Sequence, residues 1–211
     1  MIINCSGEEL ELNKERAIYW AAKKTLIISD IHIGKSAHFR KHGIPVPATV
    51  GTRDLQRLTQ LIKTYQPETL LITGDMFHNK VNSDVERFGS WRKTHQSTRC
   101  VLIKGNHDAL ADTEYEQLGI EVVHKELLLA PFRFIHDRPA TFDEYYNITG
   151  HIHPGVTIYG KARQQLRFPC FYFSQTCAVL PAFSAFTGLS NIERSEGDQF
   201  YAITPSRVLA V

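Results

Sequence analysis

Cys100-Val101-Leu102-Ile103-Lys104-Gly105-Asn106-His107-Asp108 is the stretch on which the fold turns. Its first part is a short apolar run of a buried strand's length, and it breaks abruptly into glycine, an amide, an imidazole and a carboxylate. The same grammar occurs twice earlier. Thr25-Leu26-Ile27-Ile28-Ser29 ends at Asp30-Ile31-His32, and Thr69-Leu70-Leu71-Ile72-Thr73 ends at Gly74-Asp75. Between these runs the apolar period changes. Leu55, Leu58, Leu61, Ile62 and Tyr65 recur at spacings of three and four, with Arg53, Asp54, Arg57 and Lys63 between them, and Pro67 closes the segment. A second helix is expected from Ser83, with Glu86 as capping-box partner and Val85, Phe88 and Trp91 as its apolar stripe. Strand, helix, strand, helix, strand implies an α/β fold with a parallel βαβ core and right-handed crossovers.

Outward from that core the pattern changes. Residues 126–135, 156–159, 166–173, 200–204 and 208–211 read as strands with little helix among them. Residues 2–12 followed by 17–20 read as a leading hairpin. The expectation is a central sheet, or two packed sheets, with helices outside. A length of 211 residues suits one domain over 1–211, and no linker divides it.

Composition sets limits on the class. Apolar residues make up 43% and charged residues 22%, as in ordinary globular proteins. A net charge of +2 does not by itself signal nucleic-acid binding, although a local patch can hide inside a balanced total. Cys5, Cys100, Cys170 and Cys177 are scattered without zinc-type spacing, which points to reduced thiols. The opening residues, with Glu8, Glu9 and Glu11, lack the basic-then-apolar order of a signal peptide. No run reaches the ~18 apolar residues of a membrane span. A cytoplasmic location away from membranes is therefore expected.

Chemistry gathers where the strands end. Asp30 and His32 share one loop, and Asp75 follows the second strand. Asn106, His107 and Asp108 follow the third. Later come His136 and the group Gly150-His151-Ile152-His153. In open α/β sheets ligands collect outside the carboxyl ends of the strands, so these groups can meet in one place. Carboxylates, an amide oxygen and imidazoles together suit borderline-hard divalent cations such as manganese, iron(II) or zinc. Two ions need a shared ligand, and Asp75, alone in its loop with two oxygens, is the natural bridge.

In this order the groups resemble the calcineurin-like metallophosphoesterases, whose pattern is D-x-H, G-D, G-N-H-D or E, H, and G-H-x-H. Any one motif is weak; the ordered set at strand ends is specific. Further stretches look like the bacterial ligase-associated DNA damage response endonucleases. These are Glu15-Arg16-Ala17-Ile18-Tyr19-Trp20, Gly34-Lys35, Gly74-Asp75-Met76-Phe77-His78, Gly150 to Pro154, Leu180-Pro181-Ala182-Phe183 and Phe186-Thr187-Gly188. That likeness spans nearly the whole chain. It implies four layers, α/β/β/α, and two divalent ions, manganese first, with iron(II) or zinc as alternatives. It also implies DNA as substrate, with a DNA ligase and a helicase as partners. By resemblance Asp30, His32 and His153 hold one ion, Asn106, His136 and His151 hold the other, and Asp75 bridges. His107 is then the transition-state partner or general acid, steadied by Asp108. The fourth motif departs from the pattern: Asp137-Arg138-Pro139 follows His136, where relatives more often carry a small residue or a second histidine.

Substrate contacts are less sharply marked. Lys35 and Arg40 can hold phosphate or be a solvated surface pair. His78 can touch substrate or simply pack. Arg163 and Arg167, with Lys161, make a basic patch. Tyr19, Trp20, Phe168, Phe171, Tyr172, Phe173, Phe183 and Phe186 can stack on bases, but core packing is the commoner fate of strand aromatics. Two rival functions remain open: a phosphatase or cyclic-nucleotide phosphodiesterase, and a non-catalytic module on the same fold. The retained ligand set and His107 argue against the module.

Overall fold

The computed structural model describes residues 1–41, 43, 45–46, 49–77, 83–141, 143–160 and 164–211. Two sheets form, one from each half of the chain. The first contains β1 (Ile2–Cys5), β2 (Glu8–Asn13), β3 (Ala17–Trp20), β4 (Thr25–Ile28), β5 (Thr69–Thr73), β6 (Arg99–Ile103) and β7 (Ile120–Val123), side by side in that order. Its leading strands are antiparallel, whereas β4 to β7 are parallel. Helices α1 (Lys35–Lys41), α2 (Thr49–Tyr65), α3 (Ser83–Lys93) and α4 (Asp112–Gln117) connect the parallel strands.

The second sheet contains β8 (Glu126–Leu129), β9 (Phe132–Ile135), β10 (Tyr146–Thr149), β11 (Pro154–Tyr159), β12 (Gln165–Phe173), β13 (Cys177–Val179), β14 (Ser190–Asn191), β15 (Gln199–Ile203) and β16 (Val208–Ala210). Its order is β14-β11-β12-β13-β10-β9-β8, and β15 pairs with both β12 and β16. The stretch 126–135, expected as one strand, is the antiparallel hairpin β8–β9. Pro131 sits in its turn, where its missing N–H breaks no ladder bond.

Period-two alternation assigns each side chain to a layer. Leu26, Ile28, Leu70, Ile72, Cys100 and Leu102 face the helices and pack with Leu58, Leu61, Val85, Phe88 and Tyr115. Their neighbours Ile27, Leu71, Val101 and Ile103 face the other way. They meet Phe132, Phe134, Ile148, Phe171, Phe173 and Tyr201 of the second sheet, with Trp20 fully buried between. Burying each of the larger side chains contributes about 1.5–3 kcal/mol.

On its outer face the second sheet carries Cys170, Tyr172, Cys177, Val179 and Phe200, against which Ile152, Val156 and Ile192 pack. Among the described residues every α-helix precedes β7, so the expected outer helical layer on this face is replaced by that cluster. The reason is connectivity: antiparallel pairs dominate this sheet, and they can be joined without crossover helices. All four cysteines are free and buried. No helix among the described residues is long and apolar enough to cross a membrane.

Candidate metal centre

β4, β5 and β6 run parallel in the first sheet, and β9 and β10 run parallel in the second, so each set delivers its carboxyl-end loops together. The loops are joined by main-chain bonds. Asp30 N donates to Gly74 O at 3.1 Å, His32 N to Asp75 O at 3.0 Å, and Gly150 N to His136 O at 3.0 Å. Side-chain oxygens link the sheets: Asp30 Oδ2 accepts from His151 N at 3.1 Å. Asp75 Oδ1 accepts from His107 N at 3.0 Å, tying the second and third loops.

Two donor groups result, Asp30 with His32 and His153, and Asp75 with His136 and His151, each with its donor atoms within 4.8 Å of one another. In the first group His32 Nε2 and His153 Nε2 stand 3.3 Å apart. Asp30 Oδ1, buried and completing no hydrogen bond, stands 3.2 Å from His153 Nε2. In the second, Asn106 Oδ1 is 3.1 Å from both His136 Nε2 and His151 Nδ1, and those nitrogens are 3.3 Å apart. Asp75 Oδ1 lies 3.4 Å from His136 Nε2. Bonds of about 2.1 Å from one central ion would set its ligand atoms roughly 3.0–3.4 Å apart. The donor set therefore fits a divalent cation in each group, and crowded lone pairs of this kind repel one another without one. His136, despite its unusual successor residues, sits squarely in the second group.

The backbone around these donors is bent against its preference. Asp30 (φ 51), His32 (φ 48), Asp75 (φ 48), His151 (φ 68) and His153 (φ 54) all adopt the left-handed region. Such residues cost on the order of 1–3 kcal/mol each and persist only where their surroundings fix them. Fixing comes in part from Thr73, whose carbonyl accepts from Ser29 Oγ at 2.8 Å and from His136 Nδ1 at 3.0 Å. A carbonyl only accepts, so His136 carries its proton on Nδ1 and turns the Nε2 lone pair to the site. Gly74 is obligatory: a Cβ there would sit 1.9 Å from His136 Nδ1, and its φ is +86. Ser29 and Thr73 were not singled out from sequence, although polar residues closing apolar runs are a usable signal.

Asp108, expected to steady His107, is bonded to main-chain amides. Asp108 is buried, and its Oδ1 accepts from Met76 N at 2.9 Å and Phe77 N at 3.0 Å, while Oδ2 accepts from Gly105 N at 2.9 Å. Its carboxylate thus ties the Asp75 loop to the Asn106 loop through main-chain amides. Burial pushes this carboxyl up, and those amides oppose the rise. Asp30 shows the other balance. Burial pushes it up, but His153, Ser29 and His136 together hold it below the usual carboxylate range. The His107 ring is half exposed, with Nε2 4.0 Å from Asp75 Oδ2. With Asn106 and His151 it forms the edge of the site open to solvent, whereas Asp30, His32, Asp75 and His136 lie buried behind.

The expected substrate residues divide. Lys35 begins α1 beside the site, half-buried. Burial lowers its pKa, while Asp30 and Asp75 oppose the fall. Arg167 is exposed, but its Nη2 donates to Leu189 O at 2.6 Å and Asn191 Oδ1 at 2.8 Å. That guanidinium ties β12 to the β14 segment. His78 and Arg163, with Lys161, lie outside the described residues. Of the aromatics, Trp20, Phe171, Tyr172, Phe173 and Phe183 are buried, and Tyr19 stacks on Tyr65 at 4.4 Å.

Comparison with known proteins gives a family. Residues 23–178 match the family model for calcineurin-like phosphoesterases. A nuclease from Pseudomonas putida, MPE, has a similar solved structure, with 32% identity over 100% of this chain and 99% of its own, and a TM-score of 0.83. A phosphoesterase from E. coli, Yfce, aligns over 89% of this chain and 97% of its own at 13% identity and a TM-score of 0.48. No curated protein sequence matches.

Proposed function

The chain belongs to the calcineurin-like phosphoesterase family and is a metal-dependent phosphoester hydrolase, and from that premise we propose that it is a two-metal phosphodiesterase that cuts DNA as an endonuclease. The observation that carries the reading is the adjoining pair of donor groups with His107 at their open edge. Full-length similarity to a nuclease supports DNA as the substrate. Glu15-Arg16 and Leu180 to Phe183, which resemble the ligase-associated repair enzymes, support a setting beside a DNA ligase and a helicase.

Asp30, His32 and His153 would hold one ion, Asn106, His136 and His151 the other, with Asp75 shared. When bound, such a pair supplies Lewis acidity at the phosphoryl oxygens and a water acidified to a pKa near ~7. The mixed oxygen and imidazole donors suit manganese first, then iron(II) or zinc. The protein's own groups do the rest. Asp108 and the main-chain bonds between loops hold the donors before substrate arrives, so no reorganisation is needed during reaction. His107 Nε2 is placed to stabilise charge on, or give a proton to, the departing ester oxygen. Lys35 adds a cation beside the Asp30 loop, where a phosphate of the strand can lie. The open edge at Asn106, His107 and His151 leaves room beyond phosphorus for a second nucleoside, as a diester requires.

The test is a substrate panel: a phosphomonoester, a small chromogenic diester, cyclic nucleotides, and single- and double-stranded DNA, each with manganese. Cleavage of DNA and preference for diesters are expected. An enzyme that prefers phosphomonoesters and leaves every DNA form intact is a phosphatase instead.

A further inference from the structure

Two stretches marked in the sequence have no part in the chemistry above, Glu15-Arg16 and Leu180 to Gly188, and they meet in the fold. Arg16 Nη1 donates to Ala182 O at 3.1 Å and Ser184 O at 2.6 Å. Arg57, from α2, donates from Nη1 to the intervening carbonyl of Phe183 at 2.9 Å, and its guanidinium lies 4.4 Å from the Phe183 ring centroid. The same Arg57 is held by Asp54 Oδ1 at 2.8 Å, Glu15 Oε2 at 2.8 Å and Glu15 O at 2.7 Å. Asp54 in turn accepts from Ala185 N at 3.3 Å. The consecutive carbonyls of 182, 183 and 184 are thus each engaged by a guanidinium.

With its carbonyls fixed on one side, the segment points its amides to the other. Phe183 N donates to Ser29 O at 2.7 Å, and Ser184 N donates to Asp30 O at 3.2 Å. These bonds hold the carbonyls on either side of the Asp30 α-carbon, that of Ser29 and that of Asp30 itself, which supplies a ligand from a left-handed backbone at φ 51. Burial, with Arg57 nearby, lowers the Arg16 guanidinium to about 10 despite Asp54 and Glu15. Arg16 and Arg57 are both half-buried, and holding two like charges side by side carries a desolvation cost.

We propose that Arg16 and Arg57 are positioning residues for the ion held by Asp30, His32 and His153. They fix residues 182–184, whose amides hold Asp30 in the backbone conformation that turns its carboxylate to the site. The inference rests on the two-metal reading and concerns only one of the two ions. The other group, around Asn106, His136 and His151, is held by Thr73 and Asp75, and it reaches the clamped segment only indirectly, through Ser29 Oγ on Thr73 O and His151 N on Asp30 Oδ2.

The test reads metal binding, not turnover. Metal-free full-length protein is titrated with Mn2+ by calorimetry, with melting of the metal-free form measured alongside. His153→Ala identifies which binding event belongs to the Asp30 group. Arg16→Met is expected to weaken that event about 10-fold or more, the scale of partners that orient ligands, and to weaken the second by less. If Arg16→Met does not fold, Arg57→Lys is read the same way. Its ammonium keeps the charge but cannot serve Glu15, Asp54 and Phe183 with a rigid fork. A folded variant that binds both equivalents as the wild type does, whatever its melting temperature, overturns the proposal and leaves the two-metal reading standing. A wild-type protein that takes up no Mn2+ overturns both.

Discussion

Gly74, Asp108 and His107 set three different residue-scale limits on this site. A methyl group at Gly74 collides with the His136 ring, 1.9 Å from Nδ1, in a backbone that disfavours any side chain. Gly74→Ala should therefore lower the melting temperature and release the ion of the His136 group first, seen as loss of one equivalent in metal analysis. Asp108→Asn replaces an acceptor with a donor facing backbone N–H groups. It should cost about 1–3 kcal/mol in urea unfolding, the penalty for a buried group left unpaired. His107 stands at the open edge and is assigned to the departing oxygen. His107→Ala should lower turnover ~10²–10⁴-fold while retaining both metals; a variant that arrives metal-free would make His107 a ligand. The donors were legible in the sequence because D-x-H and G-H-x-H place side chains at fixed offsets after strands. The task of Asp108 was not, since its partners are the amides of Met76, Phe77 and Gly105, which any residue would offer. The hold of Arg167 on the β14 segment was not legible for a related reason: a basic residue on an exposed hairpin looks free until Leu189 and Asn191 are brought beside it.

At the scale of elements, α3 shows what period alone can deliver. Val85, Phe88 and Trp91 lie on one face, with Phe88 wholly buried and its ring 5.6 Å from that of Phe77. Because Phe77 follows the Asp75 loop, this contact joins packing to the site. Phe88→Ala should destabilise the fold by about 3–5 kcal/mol, measured as a shift of the urea midpoint. The long, strongly periodic α2 and the apolar runs of β4, β5 and β6 were readable for the same reason. By contrast α4 spans only Asp112–Gln117, and β13 only Cys177–Val179. Elements that short carry less than two full periods, and tertiary pairing decides them. The β8–β9 hairpin escaped because apolar residues continue on both sides of its turn.

For the molecule as a whole, net charge is nearly balanced, so on the proposed function any hold on a nucleic acid would come from the field around the site. If a few phosphates are neutralised there, the apparent affinity for DNA should fall linearly with salt on logarithmic axes, with a slope near 0.7–0.9 per phosphate. Cleavage of a small chromogenic diester should stay nearly flat over the same salt range. Parallel falls for both substrates would place the salt effect on the metals or the fold. The sheets divide the chain at residues 124–125, and each donor group draws on both: Asp30 and His32 with His153, Asp75 with His136 and His151. On the two-metal reading this sets a timetable for biogenesis. A ribosome adding about 5–20 residues per second exposes the end of the first sheet roughly 1–3 s before His136 and roughly 1.5–6 s before His153 leaves the exit tunnel. A nascent chain stalled before residue 136 would own Asp30, Asp75, Asn106 and a single ligand histidine, His32, but no closed coordination sphere. Metal capture then waits for the second half of the chain, and the half-made protein is born without a working site.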